Sequence, residues 1–414
     1  MDEKTLTKAL MKLNNDKENI YELGASTDLF VHAQEALDRA GIKYEKVPKK
    51  NKKRKIPFFL RLYDKGMPFL DFNKGFYPNN VKIGKLIAND KYLTERFLKY
   101  SGIKTPDTQI LNENEFKKAE NLIKNGISYF VVKPKDLSHA LGAFRNVNET
   151  NFKECWNKSI DIQRKYKVPE PVIIIQKQVE GIELRVTVTE GVVDTVSMRA
   201  PGFIIGDGES TIETLINNKN EERKKNVYHR KNPLKINEEL INDLRINDNS
   251  LDTILKKEEY LILYPRTNIS TGRENYEVTK HIHPNIMKQA MEAVIAIPGV
   301  HTAGVDIIVE SLDSEEGTII EVNQNPAFQV NYFPMFGDKQ DPLKKVFTNL
   351  LIENQIINKT ISYNELNQDK LELILEKYRF LYKKTKTLEN EVAILLEENH
   401  RLKEKEEKIK KILT

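Results

Sequence analysis

The strongest chemical signal lies in residues 303–326, AGVDIIVESLDSEEGTIIEVNQNP, where two apolar runs flank a turn at 313–317. Paired across that turn, Asp306 faces Glu321, Gly304 faces Asn323 and Ile308 faces Ile319. Side chains alternate along a strand, so Asp306, Glu321 and Asn323 fall on one face. Two carboxylates directly opposite each other repel. Either a proton or a cation sits between them, or the register is shifted and the acids lie in solvent. Gly304 leaves room beside Asn323, which favours the first reading. Three hard oxygen ligands on two rigid strands suit Mg2+, which takes its other ligands from water and substrate phosphates.

Two lysines and a strand end form a second group. Lys133 closes the run YFVVKP and leads into KDLSHALGAF. A lysine at a strand end before a small-residue loop holds a phosphate while backbone N–H groups surround it; the plain alternative is an ordinary Lys-Pro turn. Lys91 stands in the first turn of a helix, where a cation costs ~0.3–1 kcal/mol against the dipole. It either faces an anion or is simply solvated. VIIIQKQVEGIELRV offers backbone donors and acceptors from Lys177 to Val179 for an adenine edge, and Glu183 can accept from ribose hydroxyls. Without the other motifs this would be a strand ending at a glycine turn.

The elements that must carry these groups alternate between strand and helix. Leu29, Phe30, Ala33, Ala36, Leu37 and Ala40 give residues 27–41 one apolar face, and Gly41 ends it. A β-like stretch follows at 57–63. Residues 89–102 read as a helix capped by Asn89 or Asp90, with Leu93, Phe97 and Leu98 as its stripe and Gly102 as its stop. Residues 129–133 and 172–178 read as buried strands, and 183–188 with 192–198 as a hairpin about Glu190-Gly191. Ser210-Thr-Ile-Glu213 has capping-box spacing and opens a short helix. Residues 217–235 are polar, basic and without periodicity, which predicts a long mobile loop. A strand at 260–264 and a helix at 284–296 precede the acidic hairpin. No internal repeat of 20–50 residues is apparent.

The tail differs from the rest. Ile374, Leu381, Leu388, Leu395, Leu402 and Ile409 recur every seven residues, with Tyr378, Thr385, Val392, Asn399, Glu406 and Leu413 on the companion seam. This is a coiled-coil heptad pattern with Leu at d. It predicts a homodimer held by a parallel coiled coil over 370–414; the alternative is a long helix folded back on its own domain. The expected division is 1–85 as an N-terminal α/β unit, 86–180 and 181–360 as two lobes, and 370–414 as coiled coil.

Bulk composition narrows the class. The chain has 414 residues, enough for two or three packed units, with 39% hydrophobic and 31% charged residues. No apolar run reaches the ~18–20 residues that span a bilayer, and the N-terminal MDEKTLTKAL has no apolar signal core. A single cysteine, Cys155, excludes a disulfide framework and a thiolate metal site. These features fit a cytoplasmic protein with no membrane partner. A net charge of +5 is small for this length and argues against nucleic acid as the partner. The basic residues are concentrated at 49–55 and 223–235, and the first run reads as a solvated loop.

Together the motifs resemble the ATP-grasp superfamily over about 82–336, in the family's order: NDKYLTERFLKYSGIKTP, VVKPKDLSHALGA, VIIIQKQVEGIELRV, GVDIIV, IIEVNQNP. GDGESTIETLI and LYPRTNISTGR are similar to the ATP-grasp portion of cyanophycin synthetases and of bifunctional glutathione-forming enzymes. The resemblance implies an α/β (α+β) ATP-grasp fold with two lobes clamping ATP. Carried over by motif, Lys91 and Lys133 hold phosphates, and Ser138, His139 and Gly142 belong to the phosphate loop. Gln176, Lys177 and Val179 form the adenine hinge, and Glu183 binds ribose. Asp306, Glu321 and Asn323 bind two Mg2+ ions, with Mn2+ an acceptable substitute. Arg266 and Asn268 lie near the transferred phosphate, and Arg185 and Arg273 near the substrate. Three departures stand out: Ala140-Leu141 in a loop that is more glycine-rich in relatives, Gln176 where an acid is common, and Ala327 where glycine is usual.

The implied reaction joins an acid and an amine, such as amino acids or short peptides, through an acyl phosphate. Lys133 and Arg266 would neutralise charge at the transferred group. The 217–235 segment would act as a lid, with His229 and Arg230 touching an anionic substrate. The rival readings are a nucleotide-binding scaffold or sensor that signals through the tail, and a kinase that stops at phosphoryl transfer.

Overall fold

A computed structural model describes residues 3–13, 19, 21–22, 24–49, 58–73, 77, 79–126, 128–135, 137, 141–263, 273–361, 364 and 367–413. From the N-terminus come α1 (Glu3–Leu13), α2 (Leu29–Ala40), β1 (Lys43–Pro48), β2 (Phe58–Asp64), β3 (Met67–Phe72), α3 (Lys82–Asn89) and α4 (Lys91–Tyr100). Next are β4 (Thr108–Asn112), α5 (Phe116–Lys124), β5 (Phe130–Pro134), β6 (Phe144–Val147), α6 (Phe152–Lys165) and β7 (Val172–Lys177). The second half runs through β8 (Ile182–Thr189), β9 (Val192–Ala200), β10 (Phe203–Ile205), α7 (Ile212–Lys224), α8 (Glu238–Ile246), β11 (Tyr260–Ile262) and β12 (Glu274–Glu277). It closes with α9 (Pro284–Ala296), β13 (Thr302–Val309), β14 (Gly317–Asn323), α10 (Gln329–Tyr332), α11 (Pro342–Ile357) and α12 (Gln368–Leu413).

Local chemistry sets the helix ends. Asp28 caps α2 by accepting from the Phe30 N–H, and Gly41 stops it at φ +68°. Asp90 caps α4 by accepting from Tyr92 and Leu93, so the cap is Asp90 and not Asn89. His283 caps α9, with Pro284 in its first turn.

Three antiparallel sheets organise the packing. In the first, ordered β1-β2-β3, Leu60, Leu62 and Phe72 pack against α2. Its core is completed from the far end of the chain by Leu343, Val346 and Phe347 of α11. The second sheet, ordered β4-β7-β5-β6, buries Val132, Ile173 and Ile175 against Phe152 and Trp156 of α6. The third, ordered β12-β9-β8-β13-β14, buries Val186, Val196, Val305 and Ile307 against Ala290, Ala293 and Val294 of α9. Leu6 and Leu10 of α1 and Leu98 of α4 belong to that same core. The two strands β10 and β11 pair beside α7 and α8 around a small separate core.

Two expectations are overturned. Residues 217–235 are not a long loop: α7 runs to Lys224, a 3-10 turn covers His229–Lys231, and α8 follows soon after. Thr211, not Ser210, caps α7, which is a helix of 13 residues rather than a short one. Its inward face reads Ile212, Leu215, Ile216, Lys219, Arg223, a helical i, i+3, i+4, i+7, i+11 row whose last two members are basic. Arg223 is buried on Glu274 at 2.8 Å, and Lys219 lies over the rings of Phe203 and Phe336. Asn220 bonds both the N–H and the carbonyl of Leu234. The polar residues that erase the periodicity are therefore the ones that tie the segment down.

The tail is helical throughout the described residues, but its first half folds back onto the body, as the alternative reading had it. Phe380 enters the core of the third sheet, where a Cβ on Gly191 would come within 2.7 Å of it. Lys384 donates to the carbonyls of Val294, Ile295, Ile297 and Val300 at 2.7–3.2 Å, capping the C-terminal end of α9. Among the described residues, no helix is long and apolar enough to cross a membrane.

Candidate active site

The acidic hairpin forms as expected at its open end: Gly304 pairs with Asn323, Val305 with Val322 and Asp306 with Glu321. Beyond Asp306 the register shifts, so that Ile307 faces Ile319 and Ile308 faces Thr318 rather than Ile319. Ile320 is the extra residue of a β-bulge. Such a bulge kinks its strand and re-aims the side chains beside it, here Glu321. Asp306 and Asn323 share the face, since the Asn323 amide donates to Asp306 at 3.1 Å.

Strand β8 lies on the other side of β13, and Arg185 pairs with Asp306 in register. Its guanidinium donates to both carboxylate oxygens, with Nη2 at 2.7 Å. The room beside Gly304 is filled by this arginine: a Cβ there would lie 2.8 Å from Arg185. Two residues along β8, Glu183 meets Arg199 at 3.2 Å, Arg273 at 3.1 Å and Arg145 at 3.6 Å. Arg199 reaches Asp306 as well, at 3.7 Å. Burial pushes the Glu183 carboxyl up, but Arg273, Arg199 and Arg145 outweigh it and hold the group at about 2. Arg145 comes from β6 in the second sheet, so this carboxylate joins the two sheets electrostatically.

Lys133, at the end of β5, faces the same region. Burial lowers its ammonium to about 8, aided by Lys91 and Arg145 and opposed by Glu321 and Glu95. Lys91 does not simply project toward an anion: its ammonium donates to the carbonyls of Leu137 at 2.7 Å and Lys135 at 3.3 Å. Lys135 in turn bridges to Asp90 at 3.0 Å. Lys91 thus anchors the start of the phosphate-loop segment. Lys91, Glu95, Pro106, Ile320 and Glu321 line one cleft between α4 and β14. Gly142, at φ +71°, packs against Pro134, where a Cβ would lie 2.9 Å from the proline ring. Ser138, His139 and Ala140 lie outside the described residues, as do Arg266 and Asn268.

The hinge is partly committed to the protein itself. The Gln176 amide donates to Thr108 at 2.7 Å and to Glu95 at 3.1 Å, so its side chain braces β7 against β4 and α4. The N–H groups of Lys177 and Gln178 donate to Asp107 at 3.1 Å and Tyr129 at 2.9 Å. Val179 follows, half-buried.

His229 is not a surface contact for substrate. It is buried, bonded through Nε2 to Asn275, and burial lowers it to about 4 against the pull of that bond. A neutral imidazole wedged between α7 and β12 is a packing residue. Arg230, its neighbour, is exposed.

Sequence reasoning missed Arg145, Arg199 and Glu95. For the two arginines the available signal was a charge within a short strand, Arg199 in VVDTVSMRA and Arg145 in FRNV, which is a reason to look for a partner; Glu95, on the charged helix α4, gave none.

Asp306, Glu321 and Asn323 carry the hard oxygens that Mg2+ prefers, but Arg185 holds both Asp306 oxygens and the Asn323 amide nitrogen donates to Asp306, so a metal there would share that carboxylate with Arg185. Among the described residues, no group of three or more His, Cys, Asp or Glu gathers as a metal cluster. Asp306, Glu321 and Asn323 supply only two acids and leave the remaining positions to other oxygens.

No family model matches the chain. It is 29% identical over 349 residues to a cyanophycin synthetase of Synechocystis sp., a match that covers 80% of this chain and 37% of that protein. It is 30% identical over 272 residues to a glutathione biosynthesis bifunctional protein of Clostridium perfringens, covering 64% and 34%. The chain thus spans about a third of the length of these relatives. The crystal structure of a bifunctional glutathione synthetase from Pasteurella multocida superposes with a TM-score of 0.57 at 21% identity, over 80% of this chain and 45% of that one. The chain thus carries the ATP-grasp fold and, over the matched part, is similar in sequence to cyanophycin synthetases and bifunctional glutathione biosynthesis proteins.

Proposed function

We propose that the chain is an ADP-forming ligase that uses ATP and Mg2+ to join a carboxylate to an amine through an acyl phosphate. The observation that carries this reading is the pairing of Asp306 with Glu321, with Asn323 two residues on, on a face that also bears Arg185 and Arg199. The similarity to amide-forming enzymes supports it. Asp306, Glu321 and Asn323 are the metal ligands in this reading, and the metal supplies neutralisation of phosphate charge. Lys133, cationic at neutral pH, meets the phosphates, and Lys91 fixes the loop that covers them. Gly142, Lys177, Val179 and Glu183 serve the nucleotide.

The γ-phosphoryl passes to the substrate carboxylate and ADP leaves. The amine nitrogen then attacks the acyl carbon, the C–O bond to phosphate breaks, and the nitrogen loses a proton. Arg185 and Arg273, with Arg199, stabilise the anionic groups on the acid side. Arg266 and Asn268 act at the transferred phosphate. The substrates are amino acids or short peptides, as for the relatives. The working division is 1–85, 86–180, 181–360 and 370–414. The enzyme acts in the cytoplasm, where its free Cys155 stays reduced, and its macromolecular partner is a second copy of itself.

The test is a screen of amino acids and short peptides in pairs, read by mass spectrometry and by ADP release. A ligase makes a condensed product and releases ADP only when both co-substrates are present. ADP release with an acid alone indicates a kinase. Nucleotide binding without turnover for any pair indicates a sensor.

A further inference from the structure

Helix α12 has two working faces. With a and d assigned from the heptad pattern, the body-facing residues fall at c and g. Phe380 is at c, and Lys377, Lys384 and Glu391 are at g. Lys377 bonds Glu190 and Glu353, Lys384 caps α9, and Glu391 meets Ser101 at 3.5 Å. At ~100° per residue the c/g direction lies roughly 130° from the a/d/e direction, so docking on the body leaves the seam uncovered. Tyr378, Leu381, Val392, Leu395, Leu396 and Leu402, all at a, d or e, are 37–65% exposed. A row of large apolar side chains along one helix is surface that a partner covers.

We propose that this seam takes a second copy of the chain in a parallel, in-register two-stranded coiled coil, with each body held on the outer side. Three features select that occupant. Asn399 at an a position is matched by its own counterpart only when two identical helices run parallel and in register. Val at a with Leu at d, as in Val392, Leu395 and Leu402, favours two strands. Glu398 at g falls opposite Lys403 of the partner subunit at e, an attractive pair. The inference rests on the homodimer reading above and names the face and orientation. Molecular mass reads it, so its failure is distinct from failure of the ligase chemistry.

Leu395 and Leu402 lie beyond Glu391 and outside the core, so Leu395→Asp with Leu402→Asp tests the seam without disturbing the body. In the full chain, light scattering is expected to give half the wild-type mass, with the thermal transition and ATP binding of the body unchanged. In a Cys155→Ser background, oxidation of Asn399→Cys is expected to yield a covalent dimer. An unchanged mass in the double variant, a wild-type chain that is monomeric at micromolar concentration, or a dimer that Asn399→Cys does not crosslink would each overturn the proposal.

Discussion

Two buried clusters of charge lie in the same half of the molecule, and they differ in what their cations do. At α7, Arg223 and Lys219 surround Glu274, with side-chain exposure of 1% for Arg223 and none for Glu274. Arg223 also donates to the Asn232 carbonyl, Tyr276 donates to Glu274, and Lys219 rests on two aromatic rings. Around Glu183 and Asp306, four arginines share two carboxylates, and three of them reach solvent: Arg145 is 34%, Arg199 27% and Arg273 20% exposed. At α7, Lys219 also reaches Glu222 at 3.6 Å, so two cations meet two acids, whereas around Glu183 and Asp306 the arginines outnumber the carboxylates. In one, acids, a backbone carbonyl and aromatic rings meet both cations, and Arg223 and Glu274 are sealed. In the other, the excess of arginine keeps a partly exposed side. Buried charge alone therefore does not mark a functional site; the proposed function rests on the cluster whose arginines outnumber their carboxylates and stay partly exposed.

The contrast is tested most severely at Glu321. Glu321→Ala is expected to lower turnover by about 100- to 1,000-fold while the protein stays folded, because the half-buried carboxylate has no core packing role. Near-normal turnover at saturating Mg2+ rejects the ligand assignment. Asp306→Ala is a less clean test, since it strips Arg185 of its bidentate partner and is expected to cost about 3–5 kcal/mol of stability as well.

The sealed cluster should respond the opposite way. Arg223→Met is expected to destabilise the fold by about 3–5 kcal/mol, read by urea unfolding, with ATP affinity of the folded fraction unchanged. Weakened nucleotide binding at full stability would erase the distinction between the two clusters.

A third expectation concerns pH. Lys133 sits at about 8 in the folded protein, so it is cationic below that value and neutral above it. ATP affinity is expected to fall as pH rises past 8, approaching about tenfold per pH unit, and Lys133→Met should flatten the profile. Nucleotide titration across that range measures it. A profile identical in wild type and variant removes Lys133 from the site.

The smallest effect belongs to Ala327, just past β14. Its φ of +54° is the left-handed region, which costs an L-residue about 1–2 kcal/mol. Ala327→Gly relieves that strain but loosens the unfolded chain, for a net gain of about 0.5–1 kcal/mol. A higher melting temperature checks it. A lower one means that the methyl group packs usefully.

Much of the pairing in the acidic hairpin was legible in the sequence. The glycine that the resemblance implies at position 327 and the left-handed backbone of Ala327 describe one constraint from two sides. Asp306, Glu321, Asn323 and Gly304 found their partners because a hairpin register follows from where the apolar runs and the turn lie. Helices α2 and α9 were readable because caps, stops and apolar stripes act within a few residues. The bulge at Ile320 was not readable, since one inserted residue leaves the same alternation on either side of it.

Short-range information was enough for the order of the motifs, the acidic hairpin, the capped helices and the heptad row of the tail, because each depends on periodicity and on neighbours within a turn or a strand pair. Long-range packing settled the rest. Arg223 reads as solvated until Glu274, 51 residues away, buries it. Lys384 reads as a surface lysine until the end of α9, some 90 residues earlier, presents four carbonyls to it. Arg145 reaches Glu183 only when the second sheet meets the third, whereas Arg199 comes to it across the β8–β9 hairpin. A charged side chain is stable inside only beside a partner that the fold itself delivers, and no local pattern records that partner.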